Sequence, residues 1–301
     1  MNNKSFTLIE LLVVIVIIGI LAGVIMVSTS SSIDKANITK GKVFSESVKN
    51  NLMLNLISEW KFDGPTQIGS VATVEDVKDS WGSNHGSVSG NVLVKGDQDC
   101  VSKKCLDLNG AYVSFGNSDA LKQITRELTV SYWVYINQAP SSSYAHIFSK
   151  GYAPSAGNSW TAGLTSSRSG YFFVRYGDNS AYSHTPAWGS ISLKKWFFYT
   201  HVFKGSSFVA TYKDGLLDGG INNTISFSDI YESAANVQMG GGSSSDRYFY
   251  GLIDEVKIYD AALTSSQIKQ NYIAGLDSLL INGNISKEDY NRRINELAYE
   301  K

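Results

Sequence analysis

The sequence predicts a mainly β protein: an antiparallel β-sandwich of the jelly-roll type, preceded by a long N-terminal α-helix and followed by short C-terminal helices. Three observations support this prediction. Short segments of alternating hydrophobicity follow one another between about Glu59 and Tyr259, separated by Gly, Asn and Ser turn residues. No helical pattern interrupts them, which favours packed antiparallel sheets. An unbroken apolar run occupies the N-terminus, and helix-capping patterns mark the end of the chain.

The N-terminal element combines a membrane-spanning length with one acidic residue. The run from Leu11 to Val27 carries no charge and, as a helix, would extend about 26 Å, close to the thickness of a bilayer core. Glu10 lies just before it, although a carboxylate in hydrocarbon costs about 2.5–3.5 kcal/mol and usually has a function. A secretory signal peptide cut near Ser30 and a plain signal anchor both account for the run, but neither explains Glu10.

The order MNNKS followed by FTLIELLVVIVIIGILA resembles the N-terminus of type IV pilins and of the pseudopilins of type II secretion. The resemblance implies that a prepilin peptidase cuts between Ser5 and Phe6 and methylates the Phe6 nitrogen. It also implies that Glu10 attracts the charged amine of Phe6 on a neighbouring subunit, since such a pair gains Coulomb energy in a low-dielectric medium. The family more often has glycine where this chain has Ser5.

The helix is expected to continue beyond the membrane as an amphipathic segment that ends near Ser58. An ordinary tether is the alternative to such a packed helix. Apolar residues recur in this segment at helical spacing: Val43, Phe44, Val48, Leu52 and Leu56.

The strands are predicted from period-two alternation and from turn residues. In SFVATYKDGLL, a strand is followed by Asp214-Gly215, which is a strong hairpin signal. The segments KKWFFYTHVF and GYFFVRYG predict further strands. In LTVSYWVYI, one face carries Leu128, Val130, Tyr132, Val134 and Ile136, and the other carries Thr129, Ser131, Trp133 and Tyr135.

Seven segments between about residues 57 and 273 together resemble the laminin-G-like, concanavalin-A-like jelly-roll family. The resemblance implies two antiparallel sheets and, often, a bound calcium ion. It also implies a module that binds sugars, proteins or surfaces. In order, the segments are WKFDG, DSWGSNHGSVSG, CLDLNGAYVSFGN, LTVSYWVYIN, WFFYTHVF, YKDGLLDGG and YGLIDEVKIYDAALTSSQI.

Asp254 is the candidate calcium ligand. In GLIDEVKIYD it shares the apolar strand face with Leu252, Val256 and Ile258, and a buried carboxylate needs a partner. Calcium, which prefers oxygen ligands, is one such partner, and bonds from backbone amides are the alternative. By resemblance, the further ligands are carbonyls around Asp63-Gly64 and Asn109-Gly110.

The two cysteines of the chain, Cys100 and Cys105, are expected to form a disulfide if they face an oxidising compartment, with free thiols as the alternative. A site for a transition metal is not expected from these cysteines. The histidines are scattered without ligand spacing: His85, His146, His184 and His201.

Charge and motifs argue against several classes of protein. A net charge of −1 without basic clusters disfavours nucleic-acid binding. The clear strands lack the paired carboxylates of glycoside hydrolases, and no G-x-S-x-G elbow occurs, so the chain is predicted to be non-catalytic. The sequence does not single out ligand-binding residues. Aromatic residues of turn-rich segments could stack on a sugar, with packing over the sandwich rim as the alternative: Trp81, Trp160, Trp188, Tyr144, Tyr152, Tyr171 and Tyr182.

The C-terminal tail is predicted to form two short helices around the turn Asn282-Gly283-Asn284. A capping box from Thr264 to Gln267 marks the start of the first helix, and Ser286 with Asp289 marks the second. These helices either pack on the sandwich or bind a partner.

The sequence therefore divides into a leader (1–5), a transmembrane and amphipathic helix (6–58), a jelly roll (59–262) and a helical tail (263–301). We expect a single-pass inner-membrane protein with an extracytoplasmic domain. Prepilin peptidase would process it, and other pilin-like subunits would assemble with it into a pilus or pseudopilus that displays the jelly roll for carbohydrate or surface binding. The alternatives are an anchored, lectin-like protein that does not polymerise and, less favoured, a glycan hydrolase.

Overall fold

The structure, a computed structural model, describes residues 53–141, 144–151, 157, 159–177, 181–186, 192–218, 229–241 and 247–298. All of them belong to the second of the two units into which the chain divides, Leu52–Lys301. The predicted N-terminal helix up to residue 52 lies outside the described residues, and with it Ser5, Phe6 and Glu10. No helix within the described ranges is long and apolar enough to cross a membrane.

The elements of the described chain follow the predicted order, with strands first and helices at the end. The helices are a 3-10 helix (Val74–Val77), α1 (Asp119–Lys122), α2 (Ser265–Ile281) and α3 (Lys287–Ala298). The strands are β1 (Leu56–Trp60), β2 (Ser87–Ser89), β3 (Leu93–Gly96), β4 (Lys104–Asp107), β5 (Tyr112–Gly116), β6 (Glu127–Ile136), β7 (Tyr144–Lys150), β8 (Trp160–Thr165), β9 (Gly170–Tyr176), β10 (Ala181–Pro186), β11 (Trp196–Lys204), β12 (Phe208–Lys213), β13 (Leu216–Leu217), β14 (Val237–Met239) and β15 (Gly251–Tyr259).

Two antiparallel sheets form the body of the domain, which confirms the predicted sandwich. The first sheet has the order β13-β12-β11-β6-β15-β4-β3, with β1 paired to β15 beside this path. The second has the order β10-β9-β8-β7-β14-β5-β2. Because β6 lies between β11 and β15, strands from distant parts of the sequence become neighbours at the centre of the first sheet.

The main core lies between the two sheets. The β6 face that begins with Leu128 and Val130 belongs to it, as the alternation predicted. Trp60 is fully buried, with its ring centroid 4.1 Å from that of Phe115, and its Nε1 donates a hydrogen bond of 2.8 Å to the Asn84 carbonyl. This apolar contact between the sheets is the main source of the fold's stability.

The C-terminal helices cover the outer face of the first sheet. Helix α2 begins at the predicted capping box of Thr264 and Gln267. Its Tyr272 stacks on Trp133 of β6, with ring centroids 5.6 Å apart. Thr129, on the same strand face, is fully buried. The tail therefore packs on the sandwich, and β6 is buried on both faces.

Strand β1 begins at Leu56, so residues 56–58 are strand where the sequence placed the last turn of the helix. Leu56 pairs with Tyr259 and Trp60 with Val256 of β15. The backbone hydrogen bonds of this pairing, with Trp60 in the core, outweigh the local helical spacing of apolar residues.

The hairpin predicted at Asp214-Gly215 joins β12 and β13. The φ angles of the two residues are +51° and +81°, the left-handed values that a two-residue hairpin turn with matching twist requires. Local sequence was sufficient here because aspartate and glycine tolerate that conformation better than other residues.

Candidate functional site

Asp254, the expected calcium ligand, is fully buried on β15 at a bulge where the pairing with β6 shifts. Its Oδ2 accepts hydrogen bonds from the N–H groups of Val101 (3.0 Å) and Ser102 (2.9 Å), and its Oδ1 accepts one from Glu255 (2.8 Å). Burial raises the pKa of the Asp254 carboxyl well above its ordinary value, and the neighbouring Glu255 carboxylate raises it further. Both oxygens already have backbone donors, which is the alternative that the sequence left open.

The second expected segment, Asp63-Gly64, contacts the same loop that holds Asp254. Asp63 Oδ1 accepts a hydrogen bond from the N–H of Lys104 at 3.2 Å, and its Oδ2 lies 3.5 Å from Lys103 Nζ. The Gly64 carbonyl accepts a bond of 2.6 Å from Lys104 Nζ. Lysine donors therefore contact the Gly64 carbonyl, which was expected to face a metal ion, and the Asp63 carboxylate beside it.

Asn109 and Gly110 lie beyond the other end of β4, where the Gly110 N–H donates to the Phe249 carbonyl at 3.1 Å. The expected ligands thus do not converge on one point. Within the described ranges, no group of three or more His, Cys, Asp and Glu residues could hold a metal ion. As arranged, this donor set does not fit calcium, and calcium binding stays a prediction without support from the geometry.

Cys100 and Cys105 form a disulfide, with their Cα atoms 5.4 Å apart. Both cysteines are fully buried. The bridge closes the short loop that supplies Val101 and Ser102 to Asp254. It therefore fixes the donors of a buried carboxylate.

A cleft of about 360 Å³ lies on the outer face of the first sheet, beside the turn between α2 and α3. Its floor is one row across four adjacent strands, because the strand registers align Trp196, Tyr135, Leu252 and Asp107. Its volume falls within the usual range of small-ligand sites. The remaining lining residues are polar: Lys95, Gln98, Asp99, Asn137, Lys194 and Asn284.

Two aromatic residues lie side by side at one end of this floor. The ring centroids of Tyr135 and Trp196 are 5.7 Å apart, at an interplanar angle of 58°. Trp196 Nε1 donates a bond of 3.0 Å to the Asp99 carbonyl, and Arg293 donates to the Trp196 carbonyl at 3.3 Å. The bond from Nε1 fixes the orientation of the Trp196 side chain, while Tyr135 remains half-buried at the surface. A sugar ring can stack on such an aromatic surface.

Asp107 is the charged acceptor of the cleft. Its Oδ2 lies 3.7 Å from Lys95 Nζ, and its buried Oδ1 has no hydrogen-bond partner of good geometry among the described residues. Burial raises the pKa of the Asp107 carboxyl, and the nearby Lys95 charge partly opposes this. The Asp107 side chain is 14 % exposed while Oδ1 is closed off, so a ligand hydroxyl group would reach the carboxylate from the Oδ2 side.

No local sequence pattern marks this cleft, because its lining residues are far apart in the chain. Of the aromatic residues that the sequence offered as sugar contacts, Trp160 is a core residue, and Trp81 is exposed but does not line the cleft. Tyr144 packs against Tyr171 on the second sheet. Tyr135 and Trp196 stood in predicted strands, but only the strand register places them together. Two candidates, Trp188 and Tyr152, lie outside the described residues, and nothing is described of the Tyr182 side chain.

Comparison with known families confirms both resemblances. A family model described as a prokaryotic N-terminal methylation motif matches residues 1–26. A model described as the concanavalin A-like lectin/glucanases superfamily matches residues 107–269, more than half of the chain. No curated protein matches the sequence.

Solved structures with the same fold come from several kinds of protein. Domain 4 of AbnA, a GH43 extracellular arabinanase from Geobacillus stearothermophilus in complex with arabinotriose, has a TM-score of 0.54 and 21 % identity, covering 71 % of this chain and 97 % of that one. The binding domain of botulinum neurotoxin serotype G has a TM-score of 0.59 and 14 % identity, covering 74 % and 51 %. Trypanosoma rangeli sialidase has a TM-score of 0.51 and 16 % identity, covering 71 % and 32 %. The chain thus spans about half of the toxin domain, and these likenesses concern the fold alone.

Proposed function

The chain belongs to the concanavalin A-like lectin/glucanases superfamily, and we propose that it is a pilin-like subunit, a minor pilin or pseudopilin, that displays this domain as a carbohydrate- or surface-binding module. The observation that carries the proposal is the N-terminal methylation motif at residues 1–26. The bulk of the chain that follows the motif favours a minor subunit over a major one.

In this proposal, the uncleaved precursor is anchored in the inner membrane. Prepilin peptidase then cuts between Ser5 and Phe6 and methylates the new amine. The apolar run from Leu11 to Val27 holds it there as a single-pass protein with the sandwich outside the cytoplasm. Glu10 then pairs with the Phe6 amine of the next subunit, because either charge alone is costly in hydrocarbon. This pairing sets the register between subunits in the filament.

Mass spectrometry of the mature N-terminus tests the processing step. The proposal expects a chain that begins with N-methylated Phe6, and a chain that begins near Ser30 would overturn it. Ser5→Gly is the matched control, since it restores the residue more usual in the family and should be cut at least as completely. An unprocessed wild type beside a processed Ser5→Gly variant would show that Ser5 blocks the peptidase.

Glu10→Ala separates a filament subunit from an anchored protein that does not polymerise. The variant should still insert into the membrane, because alanine is easier to bury than glutamate. It should be lost from the sheared filament fraction, since the Phe6 amine of the next subunit no longer has a partner. Equal amounts of wild type and variant in that fraction would favour the non-polymerising alternative.

The cleft on the first sheet supports carbohydrate as the ligand. Tyr135 offers a ring face for stacking, and Asp107 offers an acceptor for hydroxyl groups, a combination that suits a sugar. The AbnA domain of the same fold was solved with arabinotriose, which makes a short glycan a reasonable first probe. A glycan array followed by calorimetry would identify the sugar.

Two cleft variants and one matched control test this part of the proposal. Tyr135→Ala and Asp107→Asn should each weaken binding of the identified sugar about tenfold or more, because one removes the stacking face and the other the charged acceptor. Tyr144→Ala removes a more exposed tyrosine from the second sheet and should leave affinity unchanged. Equal loss in all three variants, or in none, would place the ligand elsewhere.

Glycan hydrolysis is a second candidate, favoured by one observation. Asp99 and Asp107 both line the cleft, and burial raises the pKa of Asp107, as a general acid requires. The two proposals differ in turnover. Release of reducing sugar from a polysaccharide panel, abolished in Asp107→Asn, would favour the hydrolase. Binding without turnover would favour the module.

A further inference from the structure

We infer that the disulfide-closed loop from Cys100 to Cys105 takes the place of the structural calcium ion that the family resemblance implies, with the Lys104 ammonium as the resident cation. Three of the expected ligands, Asp63, Gly64 and Asp254, each accept a hydrogen bond from this loop. The fold then needs no metal ion at this position.

The Lys104 ammonium donates to two backbone carbonyl oxygens. Lys104 Nζ lies 2.6 Å from the Gly64 oxygen and 2.9 Å from the Thr66 oxygen. Backbone carbonyls that converge in this way are also typical ligands of calcium. An ammonium group has three donors and a positive charge, so it satisfies both oxygens and still keeps one N–H free.

The carboxylates are satisfied by the same loop. Lys104 contributes its backbone N–H to Asp63, and Lys103 adds an ion pair at 3.5 Å. Val101 and Ser102 contribute their N–H groups to the buried Asp254. The loop thus gives these oxygens the positive charge and the donors that a buried carboxylate otherwise takes from a metal.

The loop is held in this position by contacts other than those with Asp63, Gly64 and Asp254. The disulfide between Cys100 and Cys105 joins the two ends of the loop. From the helical tail, Asn282 Nδ2 donates to the Val101 carbonyl at 3.1 Å, and Asn284 Nδ2 donates to the Cys100 carbonyl at 2.6 Å. A fixed loop pays little entropy to keep its donors in place, so it can act as a permanent substitute for an ion.

Thermal unfolding of the purified full chain in detergent micelles, with millimolar calcium or with a chelator, tests this inference. The wild-type midpoint should move by less than about 1 °C in either condition. Lys104→Met should lower the midpoint by about 3–8 °C, because the carbonyls of Gly64 and Thr66 lose their donor. Calcium should then restore much of that loss, since the variant leaves an oxygen-lined position open.

Lys122→Met is the matched control, because Lys122 lies on α1, outside the disulfide-closed loop, and its side chain is 46 % exposed and pairs with the exposed Asp119. It should shift the midpoint by less than about 1 °C and should not respond to calcium. A wild type that gains stability from calcium and loses it to the chelator would overturn the inference. So would a Lys104→Met protein with wild-type stability, or one that is destabilised but indifferent to calcium. Calorimetric titration of the wild type decides without a variant: saturable calcium binding overturns the inference, and no binding supports it.

Discussion

Gly275→Ala is expected to destabilise the domain, although alanine is the better helix former. Gly275 lies inside α2, where an added Cβ would be 2.3 Å from Trp133 Nε1 and 2.5 Å from its Cε2. The indole is 1 % exposed, and the rings of Phe198 and Tyr272 lie against it at centroid distances of 5.3 Å and 5.6 Å. Because the ring has no room to move, α2 itself must shift.

Two opposing contributions determine how much Gly275→Ala changes the free energy of unfolding. Helix propensity favours alanine over glycine by about 1 kcal/mol. Overpacking costs about 1–3 kcal/mol, and contacts this short against a rigid ring belong at the upper end. The net loss is therefore about 2 kcal/mol in the free energy of unfolding. For a domain of this size it lowers the melting temperature by about 4–8 °C.

Urea unfolding of the full chain, followed by tryptophan fluorescence, measures this difference. Ala274→Gly, at an exposed position of the same helix, supplies the propensity contribution alone and should cost about 1 kcal/mol. In a Trp133→Phe background, Gly275→Ala should become stabilising, since the smaller ring lacks the contacted indole atoms. If Gly275→Ala is as stable as wild type in the original background, α2 does not pack on β6 as described.

Two further predictions concern buried charges. Burial raises the pKa of Asp214 to about 6, above the value of about 3.9 in an unfolded chain. The folded state therefore binds this proton more tightly than the unfolded chain does. As a result, the free energy of unfolding falls as the pH rises from about 4 to 6. Asp214→Asn should remove up to about 3 kcal/mol of that decline in a pH series of urea unfolding, and an unchanged slope would contradict the assignment. Lys150 is 2 % exposed and donates to Glu232 at 2.7 Å. Glu232→Ala should lower the melting temperature more than Lys150→Met does, because only the first leaves a buried ammonium without its carboxylate; the reverse order in thermal-shift measurements would refute this.

Local sequence patterns were sufficient for much of the fold. Alternation in β6 identified the face that enters the core, the Asp214-Gly215 pair identified a hairpin, and Thr264 with Gln267 identified the start of α2. Each of these features depends on residues within a few positions of one another. The boundary at Leu56 was misplaced because its strand forms by pairing with Tyr259, which is distant in sequence.

The candidate sites depended far more on tertiary contacts. Asp254 was expected to be buried and is buried, but its partners, Val101 and Ser102, come from the opposite end of the domain sequence. The cleft is a single row across four strands, so no local pattern marks Tyr135 or Asp107 as neighbours. Sequence periodicity indicates which face a residue occupies, whereas strand order decides what lies beside it.

The sequence by itself determined the class of protein: an N-terminal methylation motif followed by a β-sandwich of the concanavalin A-like superfamily. Contiguous residues carry both properties, so a fixed motif and the period of the hydrophobic pattern are sufficient to identify them. Only the tertiary structure decided that the helical tail covers the first sheet, that a cleft opens beside it, and that Lys104 faces the oxygens of Gly64 and Thr66. Each of these depends on groups far apart in the chain, which strand pairing and burial of apolar surface bring together.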